Sequence, residues 1–121
     1  MFHFTVLINL KIMKYLFGVD GGGSGCRVIL TSTQGETLGK AEGGPANIET
    51  SFITARENII DTCKRAFKNA KLSDNNFDNS FAILGLAGSN LGNYASQLSD
   101  KLPFANNKIL NDGEITLEGL L

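Results

Sequence analysis

A run of glycines directly after an apolar segment constrains this chain more than any other feature. Residues 15–25 read Tyr-Leu-Phe-Gly-Val-Asp-Gly-Gly-Gly-Ser-Gly, so a predicted strand at residues 14–20 delivers the carboxylate of Asp20 to a turn with almost no side chains. The backbone N–H groups of such a turn can approach an anion closely, and phosphate is the usual anion. The turn therefore predicts nucleotide chemistry. The structural alternative is a β-hairpin whose Asp-Gly turn needs positive φ.

Composition fits one globular domain and argues against several classes of site. The chain has 121 residues, of which 42% are hydrophobic and 19% charged, which is enough apolar content for an ordinary core. A formal net charge of −1 argues against a nucleic-acid partner. His3 is the single histidine, which argues against a histidine-based triad or a His-ligated zinc site. Cys26 and Cys63 are interpreted as reduced core residues of a cytosolic protein.

Residues 1–12 form a separate segment in which apolar and polar residues alternate with the period of a strand. The segment is too short and too interrupted for a membrane span, and it lacks the features of a signal peptide. Met13 stands directly before the first predicted strand, which indicates that residues 1–12 are an upstream extension. An added edge strand is the alternative interpretation.

The rest of the chain predicts strands first and then alternating helices and strands. We expect strands at residues 26–32 and 37–42, a helix capped by Thr50 or Ser51 that runs to about Lys71, and a polar loop over residues 73–80. A strand at residues 81–86, apolar enough to be buried on both faces, then leads to a helix that opens at Ser89 or Asn90 and stops at Pro103. A brief strand at residues 108–110 and a last helix from about Glu114 complete the order β-β-β-α-β-α-β-α.

This order predicts where a ligand binds. Two strands added by right-handed helical crossovers lie parallel to the first strand. Ligands of such sheets gather at the carboxyl ends of the parallel strands. The loops at those ends are residues 20–25, 87–90 and 111–113, which brings Asp20 and Asp112 toward one crevice.

Four stretches together resemble a known family. Asp20-Gly-Gly-Gly-Ser24 with Cys26-Arg27 is similar to the first phosphate motif of the sugar kinase, heat-shock protein 70 and actin superfamily. The nearer resemblance is to the BadF/BadG/BcrA/BcrD ATPase family, in its N-acetylglucosamine kinase and bacterial glucosamine kinase branch. Three further stretches support that branch, namely residues 44–48 (GPANI), 85–88 (GLAG) and 111–113 (NDG). The resemblance implies an α/β, ribonuclease H-like (actin-like ATPase) domain with a mixed five-stranded sheet and helices on its faces.

The resemblance also implies residue roles. Asp20 corresponds to the aspartate that organises Mg²⁺ near the ATP phosphates, through water. Asn47 corresponds to the asparagine that hydrogen-bonds sugar hydroxyls, and Asp112 to the catalytic aspartate that accepts the proton of the attacking hydroxyl. The phosphate-binding turn comprises Gly21, Gly22, Gly23 and Ser24. Structural alternatives stay open for several of these residues, since Asp112 can cap the last helix, Asn47 can be a loop residue that tolerates the αL conformation, and Ser24 can be only a turn residue.

The resemblance therefore implies that residues 13–121 are the N-terminal lobe of a cytoplasmic, ATP-dependent amino-sugar kinase and end before its second lobe. The second lobe, in cis or in trans, carries the rest of the nucleotide site in this family, so we expect the chain alone to phosphorylate no sugar. A homodimer is left open. The alternatives are an activator ATPase of the BadF/BcrA type and a non-catalytic fragment of a truncated or split gene. No membrane partner is expected, and the choice between glucosamine and N-acetylglucosamine is open.

Overall fold

The protein, seen in a computed structural model that describes residues 13–88 and 93–111, is built on a single sheet. The described elements follow in the order β1 (Tyr15–Gly21), β2 (Cys26–Ser32), β3 (Thr37–Gly43), α1 (Phe52–Asn69), β4 (Ser80–Leu86), α2 (Tyr94–Ser99) and β5 (Asn106–Asn111). A 3-10 helix, Asp74–Asn79, leads into β4. The predictions for residues 1–12 and for the last helix from Glu114 lie outside the described residues.

The sheet has the mixed topology that the sequence predicts. Its strand order is β3-β2-β1-β4-β5. The first three strands form an antiparallel meander, and β4 and β5 are added parallel to β1 through the segments that contain α1 and α2. The fold class is therefore confirmed as a mixed five-stranded sheet with helices, and the carboxyl ends of β1, β4 and β5 share one edge.

The core lies between α1 and one face of the sheet. Side chains alternate along β1, which puts Phe17 and Val19 on the face that packs against the helix, where both are buried. The Phe17 ring centre lies 5.0 Å from that of Phe67 on α1, 6.0 Å from that of Phe77 and 5.3 Å from that of Phe104. This aromatic cluster joins the sheet, α1, the 3-10 helix before β4 and the loop before β5 in one apolar unit.

Both ends of α1 have an identifiable cause. The hydroxyl of Ser51 accepts a hydrogen bond from the backbone N–H of Thr54, so Ser51 is the N-cap. At the other end Lys71 adopts a φ of 62°, and the N–H of Leu72 donates to the Phe67 carbonyl oxygen at 2.9 Å. This is a Schellman closure, which ends the helix at Asn69, close to the predicted end at about Lys71.

One local prediction is wrong because of tertiary packing. Residues 73–80, predicted as a polar loop, contain the 3-10 helix, because Phe77 is buried in the aromatic cluster and holds the segment against the core. The predicted opening of the second helix at Ser89 or Asn90 lies outside the described residues, and α2 is described from Tyr94 to Ser99. On this helix Leu98 is fully buried, whereas Tyr94 is 38% exposed.

The predicted core position of the two cysteines is confirmed. Cys26 and Cys63 are both free thiols in the core. Burial raises the pKa of the Cys26 thiol and raises that of Cys63 well above its ordinary value. Because only the thiolate is a strong nucleophile, neither side chain is suited to covalent catalysis.

Candidate functional site

The carboxyl edge of the parallel strands brings the predicted turns together. Gly21 at the end of β1 pairs with Leu86 at the end of β4, and Leu86 pairs with Asn111 at the end of β5. Neighbouring strands lie roughly 4.8 Å apart, so the end of β5 is roughly 10 Å from the glycine turn. The convergence predicted from strand order is therefore present for the described parts of all three turns.

The glycine turn opens into the site's cavity. The turn joins β1 to β2 and is closed by a hydrogen bond from the Gly22 N–H to the Gly25 carbonyl oxygen at 2.9 Å. Beside it is a cavity of about 510 Å³. Among the predicted site residues, the cavity is lined by Asp20, Gly21, Gly22 and Ser24, whereas Gly23 and Asn47 do not line it. Its other lining residues are Gly25, Cys26, Arg27, Glu42 and Gly43.

The glycines of this turn are not explained by backbone conformation. The turn does form a β-hairpin, as the structural alternative holds, since Asp20 pairs with Arg27 in antiparallel register. However, the described glycines with positive φ are Gly35 and Gly88, neither of which is in the turn. The part of the alternative that attributes the glycines to positive φ is therefore wrong.

Crowding explains the first glycine of the turn but not the next two. A Cβ on Gly21 would lie 2.8 Å from the Ala46 Cβ and 2.9 Å from a methyl group of Leu86, so this position needs glycine for packing. A Cβ on Gly22 or Gly23 would meet no heavy atom of the described residues within 4 Å. The described protein therefore gives no internal reason for glycine at these two positions.

An ion pair lies at the mouth of the turn. The guanidinium of Arg27 donates to the Asp20 carboxylate at 3.1 Å, and the two side chains are 62% and 33% exposed. Glu42 of β3 pairs with Arg27 in the strand register, so three charged side chains follow one another across three strands. The sequence interpretation assigned no role to Arg27 or Glu42. The register of a hairpin that closes at Gly21 and Cys26 is the signal that places Arg27 opposite Asp20.

The loop that carries Asn47 is tied to both neighbouring turns by backbone hydrogen bonds. The Ala46 N–H donates to the Gly22 carbonyl oxygen at 2.9 Å, and the Ile48 N–H to the Ala87 carbonyl oxygen at 3.2 Å. The Ala87 N–H in turn donates to the Gly21 carbonyl oxygen at 2.9 Å. The loop before α1, the glycine turn and the turn after β4 thus form one hydrogen-bonded unit.

The Asn47 side chain has a fixed orientation. Its Oδ1 accepts hydrogen bonds from the backbone N–H groups of Glu49 at 3.0 Å and Thr50 at 3.1 Å. Two N–H donors can be satisfied only by the oxygen of the amide, which identifies the other atom as the Nδ2 donor. Asn47 thus shapes this turn through its side chain and not through the αL conformation of the structural alternative, since Lys71 is the one described non-glycine residue with positive φ. Within residues 13–88 and 93–111 no hydrogen bond occupies its NH₂ group, which can therefore donate to a ligand.

The remaining predicted residues divide into one on the surface and one outside the description. Ser24 is exposed at the tip of the turn. Asp112, the predicted catalytic residue, lies outside the described residues, directly after the end of β5 at Asn111. Within residues 13–88 and 93–111, no cluster of three or more His, Cys, Asp or Glu side chains is arranged to bind a metal. Asp20 is thus the one predicted metal-associated carboxylate in the described part.

The described helices include none with the length and apolarity that a bilayer span requires.

Comparison with known proteins identifies relatives of this chain. The sequence model of the BadF/BadG/BcrA/BcrD ATPase family matches residues 17–118. Glucosamine kinase GspK of Vibrio cholerae serotype O1 is 37% identical over 76 residues, which are 63% of this chain and 26% of that protein. A crystal structure from Chromobacterium violaceum, of a protein named as a candidate N-acetylglucosamine kinase, matches with a TM-score of 0.81 and 32% identity. That match covers 89% of this chain and 38% of the other, so the chain spans well under half the length of either relative.

Proposed function

Because the chain belongs to the BadF/BadG/BcrA/BcrD ATPase family, we propose that it is the N-terminal half of an ATP-dependent amino-sugar kinase. The reaction is transfer of a phosphoryl group from ATP to glucosamine or N-acetylglucosamine. Two relatives support this substrate class, since one is named a glucosamine kinase and the other a candidate N-acetylglucosamine kinase. In this proposal the second lobe is supplied by a further segment or a partner chain.

The proposal rests on the observation that Gly22 and Gly23 are glycine although neither φ nor crowding within the described residues requires it. Gly22 and Gly23 have neither positive φ nor a close neighbour among the described residues, and Gly22, with Ser24 and Gly25 of the same turn, lines a cavity of about 510 Å³. Phosphate groups bind where they can come close to the backbone of such a turn, and a side chain at either position would obstruct that approach. A phosphate-bearing ligand at this turn is therefore the reason we assign to both glycines.

The charges at the mouth of the turn fit a magnesium-bound nucleotide. Asp20 is one partly exposed carboxylate at a strand end, and Mg²⁺ in phosphoryl-transfer sites is bound by one or two carboxylates together with phosphate oxygens and water. Bound there, Mg²⁺ would neutralise charge on the phosphates. Arg27 holds the Asp20 carboxylate at the cavity and adds a positive charge beside the glycine turn.

In this proposal the Asn47 side chain contacts the sugar as a hydrogen-bond donor and not as an acceptor. Since its Oδ1 is occupied by two backbone N–H groups, Asn47 can offer a ligand only the N–H donors of Nδ2. It therefore recognises an acceptor, such as the oxygen of a sugar hydroxyl. In the same proposal Asp112 accepts the proton of the attacking hydroxyl, a role for which a carboxylate at a strand end is suited.

A chimeric kinase tests the proposal. Residues 13–121 replace the corresponding segment of the Vibrio cholerae glucosamine kinase, and ADP release is measured with glucosamine, N-acetylglucosamine and, as the control sugar, glucose. We expect phosphorylation of at least one amino sugar at a rate well above that with glucose. A folded chimera that phosphorylates neither amino sugar, under conditions in which the parent kinase is active, would refute the proposal.

Matched variants of the chimera separate the proposed roles. Asp20→Asn and Asp112→Asn keep the side-chain size and are expected to lower kcat by about a hundredfold or more. Asp100→Asn, an exposed aspartate at the end of α2, is the control and is expected to leave kcat unchanged. Asn47→Asp keeps the oxygen that accepts from Glu49 and Thr50 but loses the NH₂ donor, so it is expected to raise the sugar KM more than it lowers kcat.

A further inference from the structure

Two structural features favour glycine at position 88, in the turn after β4. They are a positive φ and close neighbours. Its φ is +83°, a conformation that residues with a Cβ rarely adopt. A Cβ built there would lie 2.8 Å from the Asn47 Oδ1 and 2.9 Å from both the backbone nitrogen and the Cβ of Glu49. Distances below 3.0 Å essentially never occur for real Cβ atoms, so the Asn47 loop would have to move.

The atoms that such a Cβ would displace are those that fix the Asn47 amide. The Glu49 N–H is one of the two donors to the Asn47 Oδ1, and it is also among the nearest neighbours of Gly88. The loop cannot simply slide away, because the Ile48 N–H is bonded to the carbonyl oxygen of Ala87, the residue before Gly88. The bare backbone of Gly88 and the orientation of the Asn47 side chain are therefore parts of one close-packed arrangement.

We infer that Gly88 is a positioning residue for the amino sugar, acting through Asn47, an inference that rests on the sugar contact proposed above for Asn47. Gly88 itself contributes no group to the ligand. It permits the turn after β4 to approach the loop before α1 closely enough to hold the Asn47 NH₂ donor in place. A side chain at position 88 weakens sugar binding without altering the glycine turn that faces the phosphates.

The test compares two glycines with the same backbone conformation. Gly35, with a φ of 88°, lies in the turn between β2 and β3, at the opposite end of β2 from the glycine turn. Asparagine tolerates positive φ better than other residues, so Gly88→Asn and Gly35→Asn each add a Cβ with limited backbone strain. Because the backbone strain is similar in both variants, the collision with the Asn47 loop should give Gly88→Asn the lower melting temperature, and equal melting temperatures would overturn the inference.

The first measurement uses the 121-residue chain itself and requires no activity. Amide exchange with water, followed by NMR, reports the hydrogen bonds of the Glu49 and Thr50 N–H groups to Asn47. We expect Gly88→Asn to accelerate exchange at these two amides by about tenfold, as for loss of one hydrogen bond, while Gly35→Asn leaves them unchanged. Unchanged exchange in Gly88→Asn would overturn the inference.

The second measurement is a double-mutant cycle in the chimeric kinase. Gly88→Asn is expected to raise the sugar KM by about tenfold and to leave the ATP KM unchanged, whereas it should change the sugar KM less than about twofold when Asn47 is already alanine. Independent, additive effects, or an unchanged sugar KM, would overturn the inference. A chimera inactive on both amino sugars would refute the proposed function and the sugar role with it, while the amide exchange would still decide whether Gly88 positions Asn47.

Discussion

Glycines occur in two kinds of environment in this domain, and their contrast separates fold from function. Where β3 passes α1, a Cβ on Gly39 would collide with the carbonyl oxygen of Ala66, and one on Gly43 would collide with the hydroxyl of Thr62. At the tip of the turn after β1, a Cβ on Gly22 or Gly23 would meet nothing within 4 Å among the described residues. Gly39 and Gly43 are glycine because other atoms of the protein occupy the space where a Cβ would lie. At Gly22 and Gly23 no atom of the described residues occupies that space.

Gly21 belongs to the glycine turn by position, but it resembles Gly39 and Gly43 in being crowded by other residues. It begins the glycine turn, yet it is crowded by Ala46 and Leu86, so its reason is packing. The glycine-rich motif therefore contains one residue that sets the shape of the turn and two that leave it open. We expect substitution by alanine to lower stability most at Gly39 and Gly43 and less at Gly21. At Gly22 and Gly23 we expect it to affect function and not stability.

The largest expected effect is that of Gly39→Ala. The blocking atom is a backbone oxygen of α1, which can move only if the helix moves away from β3. Overpacking of this kind costs about 3 kcal/mol, which corresponds to a fall in melting temperature of more than about 10 °C for a domain of this size. Thermal melts followed by circular dichroism check this, with Lys40→Ala on the same strand, an exposed position, as the control. A melting temperature equal to that of Lys40→Ala would show that α1 does not approach β3 as described.

A smaller loss of stability is expected for Gly43→Ala, and a second substitution should restore part of it. Here the blocking atom is the hydroxyl oxygen of Thr62, a buried group that donates to the Asn58 carbonyl oxygen at 2.6 Å. We expect a loss of about 2 kcal/mol, because the hydroxyl can turn away only by giving up that hydrogen bond.

Rescue distinguishes the two crowded sites. Thr62→Ala removes the colliding hydroxyl, so the double variant with Gly43→Ala should be more stable than the sum of the two single effects predicts, as measured by urea unfolding. The corresponding side-chain deletion does not exist for Gly39, because a substitution in α1 cannot remove a backbone carbonyl oxygen. Strict additivity at Gly43 and Thr62 would contradict the contact.

The sequence predicts the local part of this comparison but not the tertiary part. Strand β2, the N-cap at Ser51 and the parallel arrangement of β4 and β5 follow from local patterns, and the structure confirms them. Phe77 was missed as a core residue because its polar neighbours hide it, and its burial depends on rings that are distant in sequence. The cause of each glycine was equally invisible, since Gly39 and Gly22 differ only in what the folded chain brings beside them.

The candidate site was predicted in the same uneven way. The motif located Asp20 and the glycine turn, and strand order brought the turns to one edge. The pairing of Asp20 with Arg27 follows from the hairpin register and could have been read from the sequence. The dependence of Asn47 on Gly88 could not, because it arises from two turns that are separated by 40 residues of chain and meet only in the folded sheet.

Gly21→Ala is expected to have an intermediate effect. One of its two close neighbours is the end of a leucine side chain, which can move, and the other is the Cβ of Ala46 in a loop. We expect a loss of about 1 kcal/mol. Since the Ala46 N–H donates to the Gly22 carbonyl oxygen, faster exchange of that amide should accompany it. Ala46→Gly in the same chain should restore both stability and exchange, and failure to do so would place the strain elsewhere.

The smallest effect on stability, with a large effect on function, is expected for Gly22→Ala and Gly23→Ala. Because a Cβ finds open space at both positions, the melting temperature should stay the same or rise slightly, by the equivalent of at most about 1 kcal/mol from the reduced freedom of the unfolded chain. In the chimeric kinase the same methyl groups would lie where we propose that phosphate approaches the backbone, so the ATP KM should rise by about tenfold or more. Gln34→Ala, in the other hairpin turn of the meander, is the control for both measurements. If the melting temperature falls as far as that of Gly21→Ala, the tip of the turn is crowded. If stability and the ATP KM are both unchanged, neither glycine is required for ligand binding.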